Sequence, residues 1–97
     1  MRFNIRFTPS ADRDLDHFRA YEQRIVLDGT KRYLREDADV ETRKRKQLEA
    51  NELAPWELRL GDFRVFYRIE EPGEVKIVAV GVKVHNDLYV RASKVEL

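Results

Sequence analysis

Hydrophobic and polar positions alternate strictly through "RFNIRF" at residues 2–7, with Phe3, Ile5 and Phe7 on one side and Arg2, Asn4 and Arg6 on the other. A period of two is that of a half-buried strand. The pattern then changes to helical spacing. In "TPSADRDLDHFR", Thr8 is a candidate cap, Pro9 suits a first helical position, and Asp12 and Asp14 lie near the positive end of the helix dipole. Ala11, Leu15 and Phe18 form its apolar stripe. Helical spacing continues through Tyr21, Ile25, Val26, Tyr33 and Leu34, interrupted by Asp28-Gly29, so the segment reads as one helix or two. The charged stretch "DADVETRKRKQLEAN", with Asp39 as a possible cap, reads as a solvated helix or loop.

From Pro55 onward the pattern is that of strands. "WELRL" and "FRVFYRI" alternate on either side of Gly61-Asp62, a glycine-first pair of the kind that closes a two-residue hairpin. "EPGE" at 71–74 is a second turn, and "VKIVAVGVKV" after it is apolar on both faces, as in a strand inside a sheet. The tail "HNDLYVRASKVEL" is ambiguous. These elements predict an α+β fold in which an N-terminal strand and two helices pack on a mainly antiparallel four-stranded sheet, in the order β-α-α-β-β-β.

A two-residue loop at Gly61-Asp62 pairs Leu60 with Phe63, Arg59 with Arg64, Leu58 with Val65, Glu57 with Phe66 and Trp56 with Tyr67. One face then carries Trp56, Leu58, Leu60, Phe63, Val65, Tyr67 and Ile69, and the other Glu57, Arg59, Arg64, Phe66 and Arg68. An even-length turn at Pro72-Gly73 further sets Arg64 beside Gly81 and Phe66 beside Ala79, with Val78, Val80 and Val82 on the apolar face. Lys83 and His85 then join the arginines. An odd turn reverses this and presses Lys83 against the helices, which is costly. The expected result is an open basic face with a floor of Ala79 and Gly81, to which a ligand backbone could come close. Directly opposed like charges destabilise a sheet. Arginines alternating on a wet sheet face also serve solubility alone, and Glu57 could simply neutralise them.

Composition narrows what such a face could do. The 97 residues suit one domain spanning 1–97. With 19 basic against 18 acidic residues, any attraction for nucleic acid has to come from local segregation of charge. The absence of cysteine removes thiolate chemistry, and the distance in sequence between His17 and His85 argues against a transition-metal site. No cofactor is expected. No stretch approaches the ~20 apolar residues of a membrane span, so a soluble cytoplasmic protein is expected. The basic residues suit phosphate, and Phe66 and Tyr89 are candidates to stack on unpaired bases.

The ordered set "APWELRLGDFRVFYRI" and "VKIVAVGVKVHNDLY", residues 54–89, resembles the RelE/ParE superfamily of bacterial toxins. The preceding strand–helix–helix order agrees with it. The resemblance implies a partner, the cognate antitoxin, whose acidic, largely disordered tail would fold on the basic face. It implies one of two targets: mRNA on the ribosome, cut by a metal-free endoribonuclease of the RelE branch, or DNA gyrase, poisoned by the ParE branch without catalysis. A relative that binds only its antitoxin is a third possibility. Arg64 matches the family's phosphate-contacting arginine, Arg59 a basic residue of the catalytic strand, Lys83 the basic residue after the last long strand, Tyr89 the terminal tyrosine and His85 a late histidine acid. Glu57 stands where well-known members carry lysine. Metal-free RNA cleavage needs a base, cations for the phosphorane and an acid. These roles fall to Glu57 or neutral Lys83, to Arg64 and Arg59, and to His85, with Tyr89 or Phe66 stacking on a base and Arg68 contacting phosphate.

Overall fold

A computed structural model describes residues 2–97 of the chain. Strand β1 (Asn4–Phe7) leads into helices α1 (Pro9–Asp16) and α2 (Ala20–Leu34). Six strands follow: β2 (Arg45–Gln47), β3 (Trp56–Leu60), β4 (Phe63–Glu70), β5 (Glu74–Val84), β6 (Asp87–Val90) and β7 (Ser93–Val95). The sheet runs β2-β3-β4-β5-β6-β7, with β1 also paired to β5. The α+β class is as expected, but the sheet is larger than four strands because β2, β6 and β7 come from segments whose alternation is too short to read.

Local chemistry sets the helix ends. Thr8 Oγ1 accepts the Ala11 N–H at 3.1 Å, and Pro9 occupies the first turn, where no N–H is needed. The chain turns at His17–Arg19, and α2 begins with the Glu22 carboxylate accepting the Arg19 N–H at 2.9 Å. Asp28-Gly29 does not divide α2. Gly29 instead makes room for a side chain of the sheet, since a Cβ there would lie 2.6 Å from both methyl groups of Leu60. No helix among the described residues is long and apolar enough to cross a membrane.

The first core lies between the helices and the sheet face that carries Leu58, Val65, Tyr67, Val75, Ile77 and Val80, and it includes Leu15, Val26 and Leu34. Trp56 stacks on Tyr67 with centroids 5.8 Å apart, and the buried Tyr67 hydroxyl donates to the Ala38 carbonyl at 2.8 Å. Burial pushes that phenol well above its ordinary range. A second core, on the other face, centres on Phe66 and Ala79 and is covered by Leu88 and Val90 of β6 together with Ala54.

Hairpin β3–β4 has the expected register, from Trp56 opposite Tyr67 to Leu60 opposite Phe63. Gly61 takes a φ of 60° at its first corner. The β4–β5 turn departs from expectation. Glu70 pairs with Glu74, so Glu71, Pro72 and Gly73 form an odd, three-residue loop. A bulge then offsets it: Phe66 faces Ala79, whereas Tyr67 faces Ile77, leaving Val78 unmatched. Arg64 therefore still meets Gly81. Val78 does not join the helix face as expected, because the bulge turns it toward the second core.

One edge of β5 serves two partners. β1 runs parallel to Glu74–Ile77, and β6 runs antiparallel to Val82–Val84. Between them an ion pair takes the place of a strand. Asp14 Oδ2 accepts the Val80 N–H at 3.0 Å, Arg91 Nη2 donates to the Val78 carbonyl at 3.1 Å, and Arg91 Nε meets Asp14 Oδ1 at 3.0 Å. At the far edge of the sheet, Thr42 and Glu41 occupy the outward groups of β2: Thr42 N–H donates to Arg45 O, Thr42 Oγ1 accepts from Arg45 N–H, and Glu41 Oε2 accepts from Gln47 N–H.

Two outcomes follow from these contacts. A Cβ at Gly81 would lie 2.7 Å from the Tyr89 carbonyl oxygen, so Gly81→Ala is expected to lower stability in urea unfolding by ~1–3 kcal/mol. Gly29→Ala should change it far less, because the Leu60 methyls can turn aside and alanine adds ~1 kcal/mol of helix propensity. Equal losses would contradict this account. Burial raises the Asp14 carboxyl above its ordinary 3.8, opposed by the Val80 N–H and then by Arg91. A raised folded-state value means that the group's contribution to stability is complete below the unfolded value and is lost as pH rises through the folded one. Wild type should therefore gain urea stability relative to Asp14→Asn between neutral pH and about pH 4; parallel profiles would refute the assignment.

Candidate functional site

Arg59 and Arg64 are directly opposed across β3 and β4, as the alternation predicts. What makes the pairing tolerable is that neither guanidinium is free. Arg59 Nε meets Glu57 Oε2 at 2.8 Å, two residues away on the same strand face, and the Glu57 side chain is only 6% exposed. Arg64 folds back on the hairpin, with Nη1 donating to the Gly61 carbonyl at 2.6 Å and to the Phe63 carbonyl at 2.9 Å. Its Nε is buried with no protein partner. Burial lowers the Arg64 pKa most, Glu57 opposes that, Arg59 lowers it further, and Asp62 raises it. Arginine stays cationic throughout the accessible pH range all the same.

Three of the expected site residues, Glu57, Arg59 and Lys83, line one cleft of about 290 Å³. Its opposite wall comes from the C-terminal strand region, where Lys94 Nζ lies 3.5 Å from Asp87 and 3.9 Å from Glu96. A carboxylate already held by Arg59 and shielded from solvent is a poor candidate for a free general base. His85 lies outside the cleft lining. It is exposed at the two-residue corner between β5 and β6, where His85 has φ 52° and Asn86 has φ 70°.

The remaining expected residues are elsewhere. Phe66, expected to stack on a base, is wholly buried in the second core, because β6 and residues near Ala54 cover the face expected to be open. Arg68 lies beyond that core, in a separate cavity with Lys76, Arg91 and Glu52, and its Nε is 3.9 Å from Glu70. Tyr89 is on the other side of the sheet. The His85-Asn86 turn pairs Tyr89 with Val82, so it shares a cavity with Asp14, Phe18 and Val80, whereas Leu88, paired with Lys83, takes the arginine side. The floor at Gly81 receives the chain's own β6 rather than a ligand backbone: Tyr89 O, Val90 and Leu88 occupy the space a Cβ would take.

The Asp14–Arg91 pair lies outside what the strand alternation predicts. A signal was present, because Asp14 falls on the same helical stripe as Ala11, Leu15 and Phe18, an unusual place for an acid. Arg91 carried none, since its position depends on a left-handed turn with φ 54° at Arg91 and 63° at Ala92.

Residues 5–83 match the model of a family described as the ParE toxin of the type II toxin–antitoxin system parDE. No curated protein matches the sequence significantly. A crystal structure of the toxin–antitoxin complex RelBE2 from Mycobacterium tuberculosis is similar in fold, with a TM-score of 0.69 and 24% identity over 86% of this chain and 100% of that chain.

The buried position of Phe66 is open to test. Phe66→Ala should lower stability in urea unfolding by ~3–5 kcal/mol, the cost of emptying a core aromatic site. A variant that keeps wild-type stability while losing affinity for single-stranded RNA would restore the stacking role.

Proposed function

The chain belongs to the ParE toxin family of type II toxin–antitoxin systems, and on that premise we propose that it acts by binding a target protein, DNA gyrase, rather than by cutting mRNA. The observation that carries this reading is the dispersal of the groups cleavage would need. Glu57 is buried against Arg59, Phe66 is inside a core, Tyr89 is across the sheet, and Arg68 is separated from Arg59 by packed side chains. A metal-free nuclease has to hold base, acid and phosphate-binding cations around one phosphate. A contact toxin needs only a complementary surface.

The nuclease reading keeps one observation in its favour, the shared cleft of Glu57, Arg59 and Lys83. In that version Lys83 is the base, Arg59 and Arg64 stabilise the phosphate, and the exposed His85 is the acid. Its target is mRNA on the ribosome. In either version the cognate antitoxin neutralises the toxin by covering the surface that meets the target.

The two readings separate in one set of measurements. The purified protein should inhibit supercoiling by gyrase and trap cleaved gyrase–DNA complexes, while mRNA ends on translating ribosomes stay unchanged. His85→Ala and Glu57→Gln should leave growth inhibition within about twofold of wild type, since neither removes an element of transition-state stabilisation. New mRNA ends that vanish in His85→Ala, with gyrase unaffected, would overturn the proposal.

A further inference from the structure

Beyond the second core, the sheet face opposite the helices carries another directly opposed pair of cations. Arg68 of β4 stands opposite Lys76 of β5, and Lys76 is matched in turn with Arg6 of β1, so three cations form one row across three strands. Like charges set opposite each other destabilise a sheet. At the other end of this face the chain answers the problem itself, since Glu57 and the hairpin carbonyls occupy Arg59 and Arg64. Here it does so only in part. Arg6 is held by Glu74 at 2.9 Å. Arg68 and Lys76 share one carboxylate, Glu70, which stays 3.9 Å from Arg68 Nε and 3.9 Å from Lys76 Nζ, beyond hydrogen-bonding distance. Among the described residues neither cation donates a hydrogen bond.

Both cations line a cavity of about 320 Å³, whose other polar lining is Thr8, Ser10, Glu52 and Arg91. Arg91 is fixed on two sides, by Asp14 at Nε and by the Val78 carbonyl at Nη2, and its Nη1 makes no hydrogen bond among the described residues. The two hydroxyl oxygens are engaged as acceptors, Thr8 by the Ala11 N–H and Ser10 by Arg13 Nη2, so each keeps its proton to donate. The cavity therefore offers donors from the start of α1, from β4, from β5 and from the β6–β7 turn, against one acid, the exposed Glu52. A tetrahedral anion has oxygens to meet donors arriving from several directions, which a planar carboxylate lacks.

We propose that this cavity binds one phosphate of a nucleic-acid backbone. Arg68 and Lys76 supply the charge, and Arg91 Nη1 with the Thr8 and Ser10 hydroxyls supplies hydrogen bonds. The cavity is open, with the Arg68 side chain 51% exposed, so a phosphodiester can enter with its chain continuing on both sides. The site shares no residue with the cleft of Glu57, Arg59 and Lys83, and it does not depend on whether gyrase or mRNA is the target.

The test uses the full-length protein with two probes, a labelled short DNA duplex and inorganic phosphate, at low salt. Arg68→Gln with Lys76→Gln should weaken duplex binding ~10-fold and reduce the slope of log K against log salt by about one, the value for a single phosphate contact. Arg32→Gln with Lys44→Gln removes the same charge from the helix side and should leave affinity within ~2-fold of wild type. Circular dichroism checks that each variant folds. In the wild type, which needs no variant, inorganic phosphate should shift the amide resonances of Ser10, Lys76 and Arg91 and should compete with the duplex. Equal losses in the two double variants, absence of binding by either probe, or phosphate-induced shifts confined to other segments would overturn the site. Duplex binding no tighter than that of inorganic phosphate would overturn the backbone assignment in favour of a free phosphate.

Discussion

The fold depends on how one edge of β5 is completed. An eleven-residue strand cannot leave buried amide and carbonyl groups unpaired without a penalty of about 1–3 kcal/mol for each. Here β1 covers the first part of the edge and β6 the last, and the interval is closed by a carboxylate from α1 and a guanidinium from the β6–β7 turn. The pair ties the N-terminal helix to the C-terminal hairpin through the backbone of β5. Its burial raises the Asp14 carboxyl, a sign that desolvation outweighs the attraction of Arg91. The pair is there to satisfy the strand edge, and net electrostatic gain is secondary.

The β4–β5 region shows how two departures from regularity can leave a site where simple counting places it. The odd Glu71–Gly73 loop shifts the register by one residue, and the bulge at Val78 shifts it back. Upstream of Ile77 the helix-facing positions are odd-numbered, as with Val75 and Ile77; beyond the bulge they are even-numbered, as with Val80. Arg64 thus keeps the neighbour expected of it, although the assumed even loop is not present. Alternation made the β3–β4 hairpin, β1 and the two helices legible because each has a long enough apolar period. β2 was not legible, since "RKQ" has no apolar position and is held by the Arg45 side chain reaching the Tyr33 and Val40 carbonyls.

The candidate site was legible only as far as strand pairing determines it. Arg59, Arg64, Glu57 and Lys83 all lie on the face expected of them, because a period of two is a local property. What covers that face is a long-range matter. The two-residue turns at His85-Asn86 and Arg91-Ala92, built without glycine, bring β6 and β7 back over Phe66 and Gly81. Their residues carry positive φ without the glycine that would have announced it. The same fold-back sends Tyr89 to the helix side and separates Arg68 from the other cations.

Thr42 and Glu41, which take up the outward hydrogen-bonding groups of β2, limit how molecules of this protein can meet. With the Arg45 N–H and carbonyl and the Gln47 N–H already occupied, that flank has too few outward groups left to template another chain, which disfavours fibrous stacking of newly made copies from that side. Strand-to-strand growth would have to begin elsewhere, on the short β7 or on the outer side of β1, which pairs with β5 alone.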